Sequence, residues 1–517
     1  MLADLRLGGF HSLWLTVLVS LLPLGGLAAE GPARPNLVIV LVDDMGVMDT
    51  SVPLLPDAHG QPQRHPLNDF YRTPQMERLA RRGVRFGSFY AMSVCSPTRV
   101  SLLTGQNAAR HHTTNWIQPD QNNRGPSGPP DWNWQGLTRR SVTLPALLRG
   151  AGYRTIHIGK GHLGPRGSEG ADPRNVGFDI TVGGSSIGQP GSYYGQQAYG
   201  NAAKKVTHGV PHLEPYHGTE TFLTEALTQQ ALQHVSDAVR TQHPFFLYFA
   251  HYAVHAPFQS DPRFAAHYVN SGRPAAAQAF ATLIEGMDKS LGDLLDHLEK
   301  LGVAENTLVV FLGDNGSDAP LGGPHDVASS APLRGRKGSH YEGGMRVPCL
   351  AAWAQPAPQH PAQQRLPIPA DRYQTQFATV YDWFPTLLTL ADVPLPTGHV
   401  VDGQRLDRLL AGQSDPAHRS EFLMHYPHAP HRSDYFTVFR QEDWKVVYHY
   451  FPTANSAHGH YQLFQLRDDP YESTNLAATR PAELQRLMRE LTASLERHAA
   501  QYPVEADGTT PRRPQLP

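Results

Sequence analysis

Asn36-Leu37-Val38-Ile39-Val40-Leu41-Val42-Asp43-Asp44 is the stretch that decides how this chain is built. Its apolar run is rich in β-branched residues and shows no polar alternation. Such a run is buried on both faces and belongs to the centre of a parallel sheet. It ends in two carboxylates, at the strand end where open α/β sheets place their ligands. Taken alone, the pair reads more simply as a solvated turn or a helix cap.

Working outward, similar runs recur at Tyr153-Arg154-Thr155-Ile156-His157-Ile158, Phe245-Phe246-Leu247-Tyr248-Phe249-Ala250 and Thr307-Leu308-Val309-Val310-Phe311-Leu312. Between them lie helical stretches at 73–83, 143–150, 219–242 and 275–301. The last carries apolar residues at helical spacing from Phe280 and Leu283 to Leu294 and Leu298. Alternating strands and helices predict an α/β fold, a large mostly parallel sheet with helices on both faces. A helix from about Gln376 to Leu390 closes this domain, and Pro394 to Pro396 mark a boundary. Beyond it, the hairpin pattern at 435–450, a strand at 462–466 and a helix at 481–498 predict a small C-terminal α+β subdomain with an antiparallel sheet. The expected division is 1–29 leader, 30–393 catalytic domain, 394–506 C-terminal subdomain and 507–517 disordered tail.

The polar motifs gather at strand ends. Gly159-Lys160-Gly161-His162-Leu163-Gly164 places a cation on a Gly-rich turn, a fair anion site but a common one. Val254-His255-Ala256-Pro257 and Gly313-Asp314-Asn315-Gly316 close two further strands. Val94-Cys95-Ser96-Pro97-Thr98-Arg99-Val100-Ser101-Leu102-Leu103-Thr104-Gly105 reads as a short helix stopped by Gly105. Ser96 is its expected N-cap, Pro97 its first residue, and Cys95 lies just outside the positive end of the dipole. Arg99 is one turn on. A lone cysteine is more often a small buried hydrophobe than a reactive group. The second cysteine, Cys349, lies in an apolar strand, which argues against a disulfide with Cys95.

Charge is nearly balanced, 44 Lys and Arg against 46 Asp and Glu, so no electrostatic footprint for nucleic acid is present. Arg6 precedes the apolar run Leu13 to Leu24 and the small residues Ala28-Ala29. That is the layout of a secretory signal peptide; the run is short for a membrane anchor. Export to the periplasm or medium is expected, with no anchor after cleavage. The loops 115–136 and 185–200 carry Trp116, Trp132, Trp134, Tyr193, Tyr194 and Tyr199, an aromatic set suited to sugar rings or to packing the loops down.

Cys95-x-Pro97-x-Arg99 followed by Leu103-Thr104-Gly105 resembles the activation signature of the sulfatase family. The resemblance extends through Asp43-Asp44, Gly159 to Gly164 (with Gly161 where Trp is usual), Val254 to Pro257 (with Val for the first Pro) and Gly313 to Gly316. It continues in Leu333-Arg334-Gly335-Arg336-Lys337-Gly338, Glu342-Gly343-Gly344, and Asp469-Pro470-Tyr471-Glu472 with Asn475-Leu476. It implies that a formylglycine-generating enzyme oxidises Cys95 to formylglycine, whose hydrate attacks the sulfate ester and then expels sulfate.

The resemblance assigns Asp43, Asp44, Asp314 and Asn315, with residue 95, to one divalent cation. Hard oxygen donors select Ca²⁺, or less readily Mg²⁺, over Zn²⁺. It also implies that Arg99 and Lys160 fix the formylglycine and that His162 takes the proton when sulfate leaves. Lys160, His255 and Lys337 would grip the sulfate; Trp116, from the aromatic loops, is the candidate contact to the substrate. The implied function is a sulfuric ester hydrolase acting on sulfated carbohydrates or aryl sulfates. Phosphate or phosphonate esters, or glycan binding without catalysis, are the alternatives. Asp314-Asn315 favours sulfate, because phosphatases of this superfamily have Asp-His there.

Overall fold

The computed structural model describes residues 8–9, 34–200, 208–322, 329–428, 432, 434–453 and 458–517. Apart from residues 8–9, the expected signal peptide lies outside the described residues. Among the described residues, no helix is long and apolar enough to cross a membrane.

The opening stretch forms β1, Asn36–Val42, with every residue buried. The same sheet contains β2 (Val84–Phe86), β3 (Arg154–Gly159), β4 (Ile180–Val182) and β5 (Phe245–His251). It is completed by β6 (Thr307–Gly313), β7 (Cys349–Trp353) and β8 (Arg372–Gln374), in the order β8-β2-β7-β6-β1-β5-β3-β4. All pairings are parallel except the two made by β7. The strand with Cys349 therefore runs against its neighbours in an otherwise parallel sheet.

β1 shows why the apolar run is unbroken. Leu37, Ile39 and Leu41 face one core, and Val38, Val40 and Val42 face another on the opposite side. Burying each such side chain stabilises the fold by about 1.5–3 kcal/mol. The first core is shared with α2 (Cys95–Thr104), α3 (Leu144–Gly150) and α6 (Trp383–Leu390). α1 (Pro74–Arg82), α4 (Leu223–Arg240) and α5 (Ala275–Lys300) cover the other face. α6 starts later than expected. Ala378–Thr379 pairs as a short strand, and Thr379 and Asp382 form a capping box over one 3₁₀ turn before the helix proper.

A second, antiparallel sheet holds β9 (Glu421–Tyr426), β10 (Phe436–Gln441), β11 (Trp444–His449) and β12 (Tyr461–Gln465) in sequence order. Alternation along β10 sends Phe436 and Val438 into the core of the large sheet. Phe439 points the other way, against Leu487, Met488 and Leu491 of α7, Pro481–Arg497. The two sheets thus share a core, and 34–517 forms one compact unit without a break at 393. The tail expected to be disordered folds back on this unit. Val504 bridges to Pro511, Arg512 pairs with Glu505 at 3.0 Å, and the Arg512 guanidinium lies 4.6 Å from the Phe451 ring centre. Its prolines and arginines resemble a disordered segment in composition, but cation–π and ion-pair contacts hold them.

Candidate active site

The C-terminal ends of β1, β3, β5 and β6 bring Asp43-Asp44, Lys160-His162, His255 and Asp314-Asn315 together. α2 points its N-terminus at the same place. All ten residues of α2 are buried, so this helix is an internal element rather than an amphipathic cover. Its start differs from the sequence expectation: Val94 is the N-cap and Cys95 is the first helical residue. Ser96 does not cap, because its hydroxyl donates to the His162 carbonyl (3.2 Å) and accepts from Ile117 N (3.1 Å). That side chain instead ties the helix to the histidine turn and to the loop carrying Trp116.

Cys95 and Cys349 are both free and buried, so no disulfide removes the thiol. Burial pushes the Cys95 thiol up to about 12 against the pull of Lys160 and Lys337. An unmodified thiol here is protonated at neutral pH and is a poor nucleophile.

Arg99 is fully buried, and its Nε and Nη2 donate to Asp314 Oδ2 at 3.0 and 2.8 Å. Its Nη1 donates to the Lys160 carbonyl at 3.0 Å. Lys160 Nζ reaches both oxygens of Asp43, at 2.8 and 2.7 Å. The backbone N–H of Asp44 donates to Asp314 Oδ1 at 3.0 Å, joining the ends of β1 and β6. Lys337 Nζ sits 2.6 and 2.8 Å from the two Asp44 oxygens, and His255 Nε2 is 3.5 Å from Oδ2. Burial alone would raise the Asp44 carboxyl, but His255, Lys337 and Lys160 hold it well below the usual range. Asp314 goes the other way, to about 6, because burial and Asp43 outweigh Arg99.

Ligating atoms of Asp43, Cys95 and Asp314 lie within 4.8 Å of one another. Asn315 donates through Nδ2 to Asp44 Oδ1 at 2.9 Å, while its Oδ1 is buried and has no hydrogen-bond partner. A buried amide oxygen without a donor costs about 1–3 kcal/mol, and a hard cation would satisfy it. The donor set therefore fits the divalent cation that the sequence resemblance implies.

His162 adopts φ +56° and its Nε2 meets the Ile117 carbonyl at 2.6 Å, so that nitrogen carries the hydrogen. Its Nδ1 is then a bare lone pair, buried and without a partner. Burial and Lys160 hold this imidazole well below its ordinary value, so it is neutral and presents Nδ1 as an acceptor. His255 donates from Nδ1 to its neighbour's carbonyl at 2.9 Å, and burial pushes it down to about 4. Gly161 is tightly enclosed: a Cβ there would come within 2.8 Å of Ser185 O. A larger residue in this turn would require the Ser185 backbone or the turn itself to move.

A cavity of about 330 Å³ adjoins the cluster and is lined by Cys95, His162, His255 and Lys337. Trp116 lines it as expected. The other aromatics of the two loops do not form a sugar platform. Trp132 packs edge-on against His428, and Trp134 donates to Gln118 O. Tyr193 and Tyr199 are fully buried and bond backbone carbonyls, and Tyr194 Oη donates to Ser260 O. Their hydroxyls donate to loop carbonyls, which gives these buried polar groups partners. The cavity also takes in Gln118, Gln189, His208, Asp318 and Arg432, none of which the sequence had singled out. Asp318 follows Asn315 closely and could have been suspected from that; Arg432 stands in no motif.

A family model described as Sulfatase matches residues 35–393, and one described as N-sulphoglucosamine sulphohydrolase, C-terminal, matches 337–501. N-acetylgalactosamine-6-sulfatase of Rattus norvegicus is 34% identical over 397 residues, covering 74% of this chain and 66% of the rat protein. The Homo sapiens protein of the same name is 30% identical over 524 residues, covering 95% and 89%. In fold, the crystal structure of Ps i-CgsB superposes with a TM-score of 0.70 at 23% identity, covering 92% of this chain and 96% of that one. With this extent of similarity, and with its motifs converging on one buried cluster, the chain belongs to the sulfatase family and is a sulfuric ester hydrolase.

Proposed function

We propose that this sulfatase is an exported hydrolase of sulfated carbohydrates that uses formylglycine derived from Cys95 and one Ca²⁺. The observation that carries the reading is the joint burial of Cys95, three carboxylates and the unpartnered Asn315 oxygen beneath one cavity. Asp43, Asp44, Asp314, Asn315 and the oxygen of modified residue 95 would hold the cation. An all-oxygen set of this kind suits Ca²⁺. The bound cation supplies charge neutralisation for sulfate oxygens, and the modified side chain supplies the nucleophile.

The remaining work belongs to ordinary side chains. Arg99 keeps Asp314 oriented and in its charged form. Lys160, bonded to Asp43 and electrostatically coupled to residue 95, neutralises the oxygen there. His255 and Lys337 face the position of the sulfate; they bind it and stabilise charge on the departing alcohol. His162 Nδ1 accepts the proton released at residue 95. Trp116 offers a flat face to the carbohydrate, and the relatives' names support trying aminosugar sulfates first.

The test is a mass spectrum of the Cys95 peptide from active enzyme, with elemental analysis of the same sample. The expected result is the mass of formylglycine and one calcium per chain. Full activity with an unmodified thiol, or with stoichiometric zinc, overturns the reading.

A further inference from the structure

The wall of the cavity contains an ion pair that the reaction does not use. Asp318 lies in the loop after β6 and Arg432 in the segment between β9 and β10, so the small sheet delivers a residue to the end of the large one. The pair is bidentate: Arg432 Nη1 bonds Asp318 Oδ1, and Nη2 donates to Oδ2 at 2.7 Å. Both side chains are mostly buried, 12% exposed for Asp318 and 22% for Arg432. They line the same space as Lys337, His255 and Trp116.

A bare carboxylate beside a sulfate site would repel the substrate. Paired with a guanidinium, it is electrically quiet yet keeps acceptor capacity, since a carboxylate offers about four lone-pair sites and the arginine takes two. A fixed acceptor of this kind suits a hydroxyl hydrogen. The amides of Gln118 and Gln189, at the same cavity, suit the same class of ligand. We propose that Asp318, held by Arg432, reads a free hydroxyl on the sugar ring that carries the sulfate ester, and so selects carbohydrate over aryl sulfates. Arg432 is a positioning residue in this scheme. The proposal rests on the carbohydrate reading above and adds the residues that enforce it.

The experiment uses mature, calcium-loaded enzyme on monosulfated hexoses and hexosamines, their deoxy analogues and 4-nitrophenyl sulfate. Wild type should prefer a sugar sulfate over the analogue lacking the recognised hydroxyl, because an unmet buried acceptor penalises the analogue. Asp318→Asn should lower the sugar-to-aryl ratio of kcat/KM by about 10–100-fold and no longer distinguish the sugar from that deoxy analogue. Arg432→Met should show the same loss, and the double variant little more, since the two act as one unit. The proposal is overturned if Asp318→Asn leaves the ratio unchanged, or if wild type turns over every deoxy analogue as well as its parent. Improved turnover of disulfated sugars by Asp318→Asn would also overturn it, by making Arg432 a grip for a second anion. The wild-type comparison needs no variant to fold. If wild type accepts only the aryl sulfate, the carbohydrate reading itself fails, a result distinct from the others.

Discussion

At the scale of single residues, Arg99 shows how the site is held. Its guanidinium is fully enclosed and bonded to Asp314 and to the Lys160 carbonyl, so it links the ends of β6 and β3 from inside α2. Arg99→Met should leave Asp314 as an uncompensated buried charge. We expect a loss of about 3–5 kcal/mol in a denaturant titration. Arg99→Lys should not restore it, because an ammonium cannot reproduce the fork that reaches both partners. Asn315 makes a complementary prediction. Asn315→Leu is nearly the same size but removes the orphan oxygen, so calcium affinity by isothermal titration should fall about tenfold or more. An unchanged affinity would remove Asn315 from the ligand set.

At the scale of elements, α2 has to end where it does. Gly105 sits at φ +69°, and a Cβ there would come within 2.6 Å of the Phe384 ring on α6. Gly105→Ala costs about 1–2 kcal/mol from the left-handed backbone alone, and displacing Phe384 adds to it. Thermal melting should register that loss, and kcat should fall with it because the same helix carries Cys95. The join between the two sheets rests on Lys445 of β11, fully buried, with Nζ 3.0 Å from Glu342 and 2.6 Å from Glu472. This explains the Glu472 of the C-terminal motif, which spans the interface and accepts Glu342 N at 2.7 Å. Lys445→Met should leave buried Glu472 without its cation and Glu342 with only Arg346 at 3.8 Å, and cost about 3–5 kcal/mol. Pairing it with Glu472→Gln should recover part of that loss, measured as a double-mutant cycle.

At the scale of the whole molecule, buried histidines set the response to acid. Burial pushes His111, His157, His251 and His428 down to about 3, and His425 to about 4, from the ordinary 6.5. Between those values the unfolded chain binds protons that the folded one refuses. Stability is therefore full above about pH 6.5 and declines as the pH falls towards 4, by up to about 1.4 kcal/mol per unit for each group. Asp49, Asp288 and Glu472, pushed up to about 7 by burial, and Asp314, pushed to about 6, act in the opposite sense over the same window but are fewer. The melting temperature should drop between pH 7 and pH 5. A flat or rising profile would contradict this account.

The sequence alone determined the alternation of strands and helices, and with it the placing of chemistry at strand ends. Unbroken apolar runs such as 37–42 have one stable home, the middle of a sheet covered on both sides. Contiguous motifs were legible for the same reason, since Asp43-Asp44, Lys160-His162 and Asp314-Asn315 each occupy a single turn whose position follows from its strand. Local signals failed where a side chain is claimed by a distant partner. Ser96 looks like a cap until its hydroxyl is drawn to His162 and Ile117, and the tail looks disordered until Arg512 meets Phe451. Tyr193 and Tyr199 look like sugar-binding surface, yet both rings are buried and their hydroxyls donate to backbone carbonyls distant in sequence. Only the tertiary structure decided which residues wall the cavity, because Asp318 and Arg432 stand 114 positions apart. No spacing rule within one chain encodes a pair that exists only when two sheets pack together.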